Sequence, residues 1–201
     1  RYKNVVYIIL GATHPHVLKA EGEAYRLSLQ TLAQDLGVEG NVLLYNRFVP
    51  LEELVEFVGG ADVYITPYHN EAQITSGTLA YALGMGKAVV STPYWYATEL
   101  LAEGRGSIVP FKDPEAIAKA VINLLDNETQ RHAMRKNAYL RGRDMIWSSV
   151  AEQYMQTFER AREEHMRRPA AFFELPMMDR RLDELPRLNI NHLRLLTDDT
   201  G

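Results

Sequence analysis

Short, unbroken apolar runs alternate with stretches of helical spacing along the first two-thirds of this chain, and turn residues separate them. Val5 to Leu10 is a continuous apolar run ending at Gly11, the pattern of a strand buried on both faces. Ala20, Ala24, Leu27, Leu32 and Leu36 recur at helical spacing and predict one helix over residues 19–36, stopped by Gly37. A strand over residues 41–45 follows, then a helix opened by Pro50 that runs through Val58 and stops at Gly59-Gly60. A strand over 62–66 enters a polar turn (68–75), which opens a small-residue helix over 76–85. Gly86-Lys87 leads into the strand 88–92, and 107–109 reads as a short last strand. Asp113-Pro114-Glu115 is a helix start with Asp as N-cap, Pro in the first turn and Glu near the positive end. That helix places Ile117, Val121, Leu124 and Leu125 inward, and two more helices are expected near 128–141 and 148–166.

Strands that are apolar throughout, alternating with helices, predict an α/β fold: a doubly wound parallel sheet with helices on both faces. Ligands of such sheets sit at the carboxyl ends of the strands. This directs attention to the segments 11–16, 46–50, 67–76 and 93–96. The turn over 68–75 ends at a helix N-terminus, where unpaired N–H groups and the positive dipole end favour a phosphate. Beyond residue 160 the character changes: 160–168 is densely charged, Pro169 breaks the helix, and Pro176 and Pro186 punctuate an irregular stretch. Residues 1–168 are therefore expected to form one domain, and 169–201 a linker into another.

Composition narrows the function. With 201 residues and 46% hydrophobic content the chain can bury an ordinary core. A net charge of −4 with no basic block argues against nucleic acid as a partner. The absence of cysteine excludes disulfides and thiolate metal sites and is compatible with a reducing, cytoplasmic compartment. No apolar run approaches the roughly 20 residues that span a bilayer. Beginning without Met and directly in a strand, the chain reads as part of something longer.

Several local patterns then agree in order. Val6 to Gly11 is a strand closing on Gly; Val42 to Pro50 with Leu51-Glu52-Glu53-Leu54 is a strand, turn and helix. Ala61-Asp62-Val63-Tyr64-Ile65-Thr66-Pro67 and Ala82-Leu83-Gly84-Met85-Gly86-Lys87-Ala88-Val89-Val90 bracket the polar turn, Gly104 to Glu115 follows, and Trp147, Val150, Ala151 and Tyr154 close the series. From about Tyr2 to His165 the chain resembles the C-terminal, donor-binding half of a retaining GT-B glycosyltransferase of family 4 (group 1). The resemblance implies a nucleotide-diphosphate sugar as donor substrate, no metal and no further cofactor, and transfer with retention. It also implies an N-terminal GT-B half of the same protein as partner, which would bind the acceptor, and a central strand ahead of Arg1 that carries cations for the diphosphate. The chain alone is thus expected to be an incomplete sheet that binds donor without turning it over. Residues 185–201 resemble, more weakly, the lead-in to an all-helical toroid domain.

The family carries two glutamates separated by seven residues across the donor loop and its helix. Aligning on Gly86-Lys87 puts Gln73 and Tyr81 at those positions. Gln73 can still donate and accept hydrogen bonds, whereas Tyr81 cannot grip a ribose diol as a carboxylate does. Glu71, two residues earlier, can swing toward the sugar, so Gln73 and Glu71 are the candidate catalytic residues. Ile74, Thr75, Ser76, Gly77 and Thr78 are candidates to cradle the diphosphate, against simple helix capping by Thr75 or Ser76. His14 after the first strand can contact phosphate or sugar, or merely sit in a turn shaped by Pro15. Arg47 stands where the family places the base and can pair with a phosphate, with a solvated side chain as the alternative. Phe48 can wall a base pocket, although packing under the next helix is the favoured alternative. Tyr94-Trp95-Tyr96 can form a sugar platform or an interface, Glu99 suits the start of a following helix, and Lys87 reads as a solvated turn residue. Tyr139, Trp147 and Tyr154 are expected to pack late helices on the sheet.

Two other classes compete. A dinucleotide oxidoreductase shares the sheet pattern, but no G-x-G-x-x-G opens a βαβ unit here. A non-catalytic nucleotide-sugar-binding or scaffold domain would account for the missing glutamate pair.

Overall fold

In a computed structural model, residues 2–167 are described. The sequence-predicted linker over 169–201 and the toroid lead-in lie outside them. The chain divides into two units, residues 1–152 and 153–201. In the first, β1 (Tyr7–Leu10) is followed by α1 (Pro15–Glu21), α2 (Ala24–Asp35), β2 (Val42–Tyr45) and α3 (Leu51–Gly60). Next come β3 (Val63–Thr66), α4 (Gly77–Gly84), β4 (Ala88–Ser91), α5 (Trp95–Leu100) and β5 (Ser107–Ile108). The last elements are α6 (Pro114–Asp126), α7 (Glu128–Asp144) and α8 (Trp147–Arg167), the latter continuing into the second unit.

All pairing is parallel, as the apolar strands predict, but it forms two sheets. β1 pairs with β2 from Tyr7 opposite Val42 to Leu10 opposite Tyr45, and β4 lies between β3 and β5. No described strand bridges β1 and β3, so the described strands form a two-stranded and a three-stranded sheet where one continuous sheet is expected.

β4 is the centre of the core. Ala88, Val89 and Val90 have no exposed surface, which explains the lack of alternation in the sequence. Val89 packs with Val58, Leu79, Leu83, Tyr94 and Ala97, carried by α3, α4, α5 and the residue before α5. Ala88 and Val90 pack instead with Leu124 of α6 and Met134 of α7, so helices cover both faces of this strand.

Three expectations change. The helix over 19–36 is two helices, broken at Gly22, whose φ of 62° lies in the left-handed region that an interior helix residue cannot adopt. α3 runs on through Gly59 and Gly60, because its last carbonyls find partners beyond the glycines. Those partners include Lys87, which is not a solvated turn residue: it is 6% exposed, and its Nζ donates to the carbonyls of Gly59 and of Ala61, the latter at 3.1 Å. Burial, and then the neighbouring Arg135 charge, push its amine below the usual lysine range.

α4 and α7 cross with almost no separation. A Cβ on Gly142 would stand 2.6 Å from the Gly84 Cα and 3.1 Å from its nitrogen. α7 also takes over the carbonyls at the end of α4: Arg143 Nη2 donates to Gly84 at 2.8 Å and Arg135 Nε to Gly86 at 3.1 Å. The Arg143 guanidinium lies 4.4 Å from the centre of the Tyr139 ring, which is half exposed. Trp147 is 88% exposed, so it does not pack on the sheet. Within the second unit Tyr154 and Phe158 are exposed with rings 6.1 Å apart. The charged run from Glu159 to Arg167 is exposed, as its composition predicts.

Gly142→Ala should lower stability by about 1–3 kcal/mol, since only backbone faces the added methyl; an unchanged urea midpoint would show that the helices can part at no cost. Lys87→Met keeps the stem and removes the donor, and should cost about 1–3 kcal/mol by stranding two carbonyls, read from the same unfolding curves.

Candidate functional site

The loop after β3 is held mainly from below by β4 and the start of α5. At the carboxyl ends of the strands Ser91 Oγ donates to the Thr66 carbonyl at 3.2 Å, and the Thr66 hydroxyl meets the Tyr94 hydroxyl at 3.3 Å. Thr92 Oγ1 donates to the Tyr68 carbonyl at 2.5 Å, and the Tyr68 ring stands edge-on to Tyr94 at 5.2 Å. The amides of Trp95 and Tyr96 then donate to the carbonyls of Glu71 (3.0 Å) and Gln73 (3.3 Å). Within the loop Asn70 Oδ1 accepts from the Ala72 amide at 3.1 Å, a turn that asparagine forms readily.

This loop delivers the chain to the N-terminus of α4. Ser76 is buried and extended and caps the helix, its Oγ accepting from the Leu79 amide at 3.3 Å. The amides of Gly77 and Thr78 precede the first intrahelical bond, which runs from Ala80 to the Ser76 carbonyl, and have no protein acceptor among the described residues. The Thr78 hydroxyl is 3.4 Å from Ser76 Oγ and also bonds Tyr64, whose phenol burial pushes up. Gly77 is open, with no atom within 4 Å of the position a Cβ would take. Thr75 is exposed, Ile74 is 68% exposed beside this terminus, and Tyr81 lies one turn along α4, also exposed. Gln73 is half-buried and its Nε2 donates to the Thr75 carbonyl at 2.6 Å; Glu71 engages through its backbone, and its carboxylate is exposed.

A second group gathers at the ends of β1 and β2. His14 Nδ1 accepts from the His16 amide at 3.3 Å and so caps α1, and the two imidazoles stack 5.3 Å apart. Glu23 joins three segments. Its carboxylate accepts from Thr13 after β1 (2.8 Å), from Arg26 of α2 (2.7 Å) and from Asn46 after β2 (3.4 Å). The Arg26 bond first, then the Thr13 bond, hold this carboxyl below its ordinary value. Arg47 is neither free nor simply solvated: both its Nη atoms bond the two carboxylate oxygens of Glu53. Phe48 is 88% exposed, so it does not pack under α3; Pro50 opens that helix and turns the chain before the ring can reach it. Among the described residues, no hydrogen bond, ion pair or ring contact joins this group to the one around α4.

Tyr94 is fully buried, and Trp95 and Tyr96 open α5, so only Trp95, at 57% exposure, offers an aromatic face. Glu99 lies in the last turn of that helix rather than the first. The sequence shows no sign of the roles of Tyr64 and Thr92, whose partners are distant along the chain, or of the link that Glu23 makes to Thr13 and Asn46, although Arg26 is only three residues from it. Only the position of Thr92 at the end of an apolar run hinted at a role. No three His, Cys, Asp or Glu side chains among the described residues converge to hold a metal ion. No helix there is long and apolar enough to cross a membrane.

Parallel strands flanked by helices, with an open helix N-terminus at the carboxyl end of the central strand pair, define a Rossmann-like α/β domain of the GT-B type. Residues 1–141 match the family of Glycosyl transferases group 1, and the chain belongs to that family. It is 34% identical over 135 residues to the D-inositol 3-phosphate glycosyltransferase of Corynebacterium urealyticum, covering 65% of this chain and 30% of that protein. Among solved structures it resembles HepE of Anabaena in complex with UDP, with a TM-score of 0.66 at 16% identity over 79% of this chain and 42% of that one. It also resembles sucrose-phosphate synthase of Thermosynechococcus elongatus, with a TM-score of 0.63 at 20% identity over 78% and 38%. The chain spans about a third of the length of the curated relatives it matches.

Glu23 sets a pH dependence. A carboxyl held below its ordinary 4.5 stabilises the fold above that value and loses the contribution as pH falls through the depressed one. Glu23→Gln should therefore be less stable than the wild type at pH 7 in denaturation curves, with the difference shrinking as pH falls below 4.5; a difference that does not change with pH would contradict this.

Proposed function

We propose that the protein transfers a sugar from a nucleotide-diphosphate donor to an acceptor, and that this chain is the donor-binding half. The observation that carries the proposal is the α4 N-terminus. There two unpartnered amides and the hydroxyls of Ser76 and Thr78 meet at the end of the β3–β4 pair. Such a terminus suits a diphosphate, through directed N–H donors and the positive dipole end. Family membership supports the same reading, as does HepE, solved with UDP and with UDP-glucose.

In this mechanism the bond between the anomeric carbon and the diphosphate breaks while the acceptor oxygen attacks from the same face, giving retention. The amides of Gly77 and Thr78 stabilise the charge that develops on the departing diphosphate, aimed in advance and needing no rearrangement. No metal or additional cofactor takes part. Gln73 and Glu71 face the sugar, Tyr81 lies toward the ribose, His14 contacts phosphate or sugar, and Arg47 and Phe48 line the nucleoside side. Arg47 exchanges Glu53 for a phosphate on binding, and the exposed Phe48 ring stacks on the base. The acceptor binds the N-terminal GT-B half, so this chain alone holds donor without turnover.

Calorimetric titration of the whole protein with UDP, GDP, ADP and NAD tests the proposal. One nucleoside diphosphate should bind saturably. Gly77→Asp should weaken it by about tenfold or more through charge repulsion, while leaving the melting temperature unchanged, because the position is open and an acid suits a helix start. A folded protein that binds none of the four would point to a scaffold domain, and NAD binding alone to the oxidoreductase class.

A further inference from the structure

We infer that Gln73 is the positioning residue of the α4 terminus, acting through the N–H of its side-chain amide. The Thr75 carbonyl is the acceptor that would continue α4 backward by taking the Leu79 amide. Ser76 Oγ already accepts from that amide at 3.3 Å, and Gln73 Nε2 donates to the released carbonyl at 2.6 Å. The partner is a carbonyl oxygen, so the bonding atom of the carboxamide is its nitrogen. Two side chains thus divide one turn between them, and together they make the helix begin at Gly77 with the amides of Gly77 and Thr78 outward. Gln73 is itself fixed by its backbone: its amide donates to the Asn70 carbonyl at 3.3 Å, and its carbonyl accepts from Tyr96 at 3.3 Å. The role of the α4 terminus in binding rests on the proposed function, but the geometry of the loop does not.

A carboxylate at this position would place an anionic oxygen against the Thr75 carbonyl with no proton to share. The departure from glutamate is thus a local requirement for a donor, and Oε1 remains available to accept from a hydroxyl of the substrate. The same requirement supplies a test, because a carboxyl that takes up a proton becomes a donor again. The titratable and charged groups of the surrounding elements are Tyr64 of β3, Tyr68, His69 and Glu71 of the loop, Tyr81 of α4, Tyr94 before α5, Tyr96 and Glu99 of α5, and Arg141, whose charge reaches Tyr96. All are present in the wild type, so each variant is compared with it at the same pH.

Hydrogen exchange of the whole protein, unliganded, is followed over residues 74–80 at pH 7 and near pH 4.5, corrected for intrinsic rates. At pH 7 Gln73→Ala and Gln73→Glu should both exchange about tenfold faster there, the equivalent of one net hydrogen bond. Protection of β4 should be unchanged, which separates loop release from unfolding. Near pH 4.5, where an ordinary glutamate is about half protonated, Gln73→Glu should regain part of the protection and Gln73→Ala none. Wild-type protection in Gln73→Glu at pH 7, or the same loss in both variants at both pH values, would overturn the inference. Titration of the wild type with UDP, GDP and ADP decides the proposed function separately: if none binds, that reading falls while the exchange result stands.

Discussion

The crossing of α4 on α7 is the constraint from which much else in the first unit follows. Gly142 meets Gly84 so closely that a side chain on Gly142 would force the helices apart. The approach brings Arg135 and Arg143 within reach of the last carbonyls of α4. An eight-residue helix is a rod of about 12 Å, so a tilt at its gripped end displaces its open end by a comparable angle. The buried faces of Leu79, Ala82 and Leu83 complete the seat. The open N-terminal end of α4 is therefore set by contacts at the opposite end, made by residues outside the proposed site.

The loop leading into α4 is positioned by a different means. Much of its hold comes from main-chain groups bonded to the opening amides of α5 and to hydroxyls at the strand ends. Such anchoring leaves the side chains of Glu71, Ile74 and Thr75 free to project outward, and it explains how an irregular segment holds one shape. Glu23 does comparable work at β1 and β2, where a single carboxylate joins the turns after two strands. Both devices convert the rigidity of a parallel sheet into fixed loops at its carboxyl edge.

Most strands and the later helices were legible because their cause is local. An unbroken apolar run marks a parallel strand, although only β4 is buried on both faces and β1, expected to be so, leaves Tyr7 and Ile8 exposed; Asp113-Pro114-Glu115 opens α6 with the Asp113 side chain accepting from Ala116 at 2.8 Å. The start of α4 at Ser76 and Gly77 was legible for the same reason. What was illegible depends on distance. Nothing near Lys87 announces that carbonyls 26 and 28 residues away will bury its amine. Nothing near Phe48 says that its ring stays outside, and Arg47 carries no sign of Glu53 except that a turn of chain separates them. The break at Gly22 was obscured by apolar spacing that continues through it, and the start of α5 was placed too late, near Glu99, because aromatic residues after a strand read as loop.

Lys87 has one further meaning. An amine enclosed by carbonyls and depressed in basicity by burial is out of reach of acylating reagents while the fold is closed, yet it is an ordinary nucleophile once α3 and β4 separate. The molecule therefore carries its own chemical clock: the rate at which that nitrogen is labelled counts how often its core comes open.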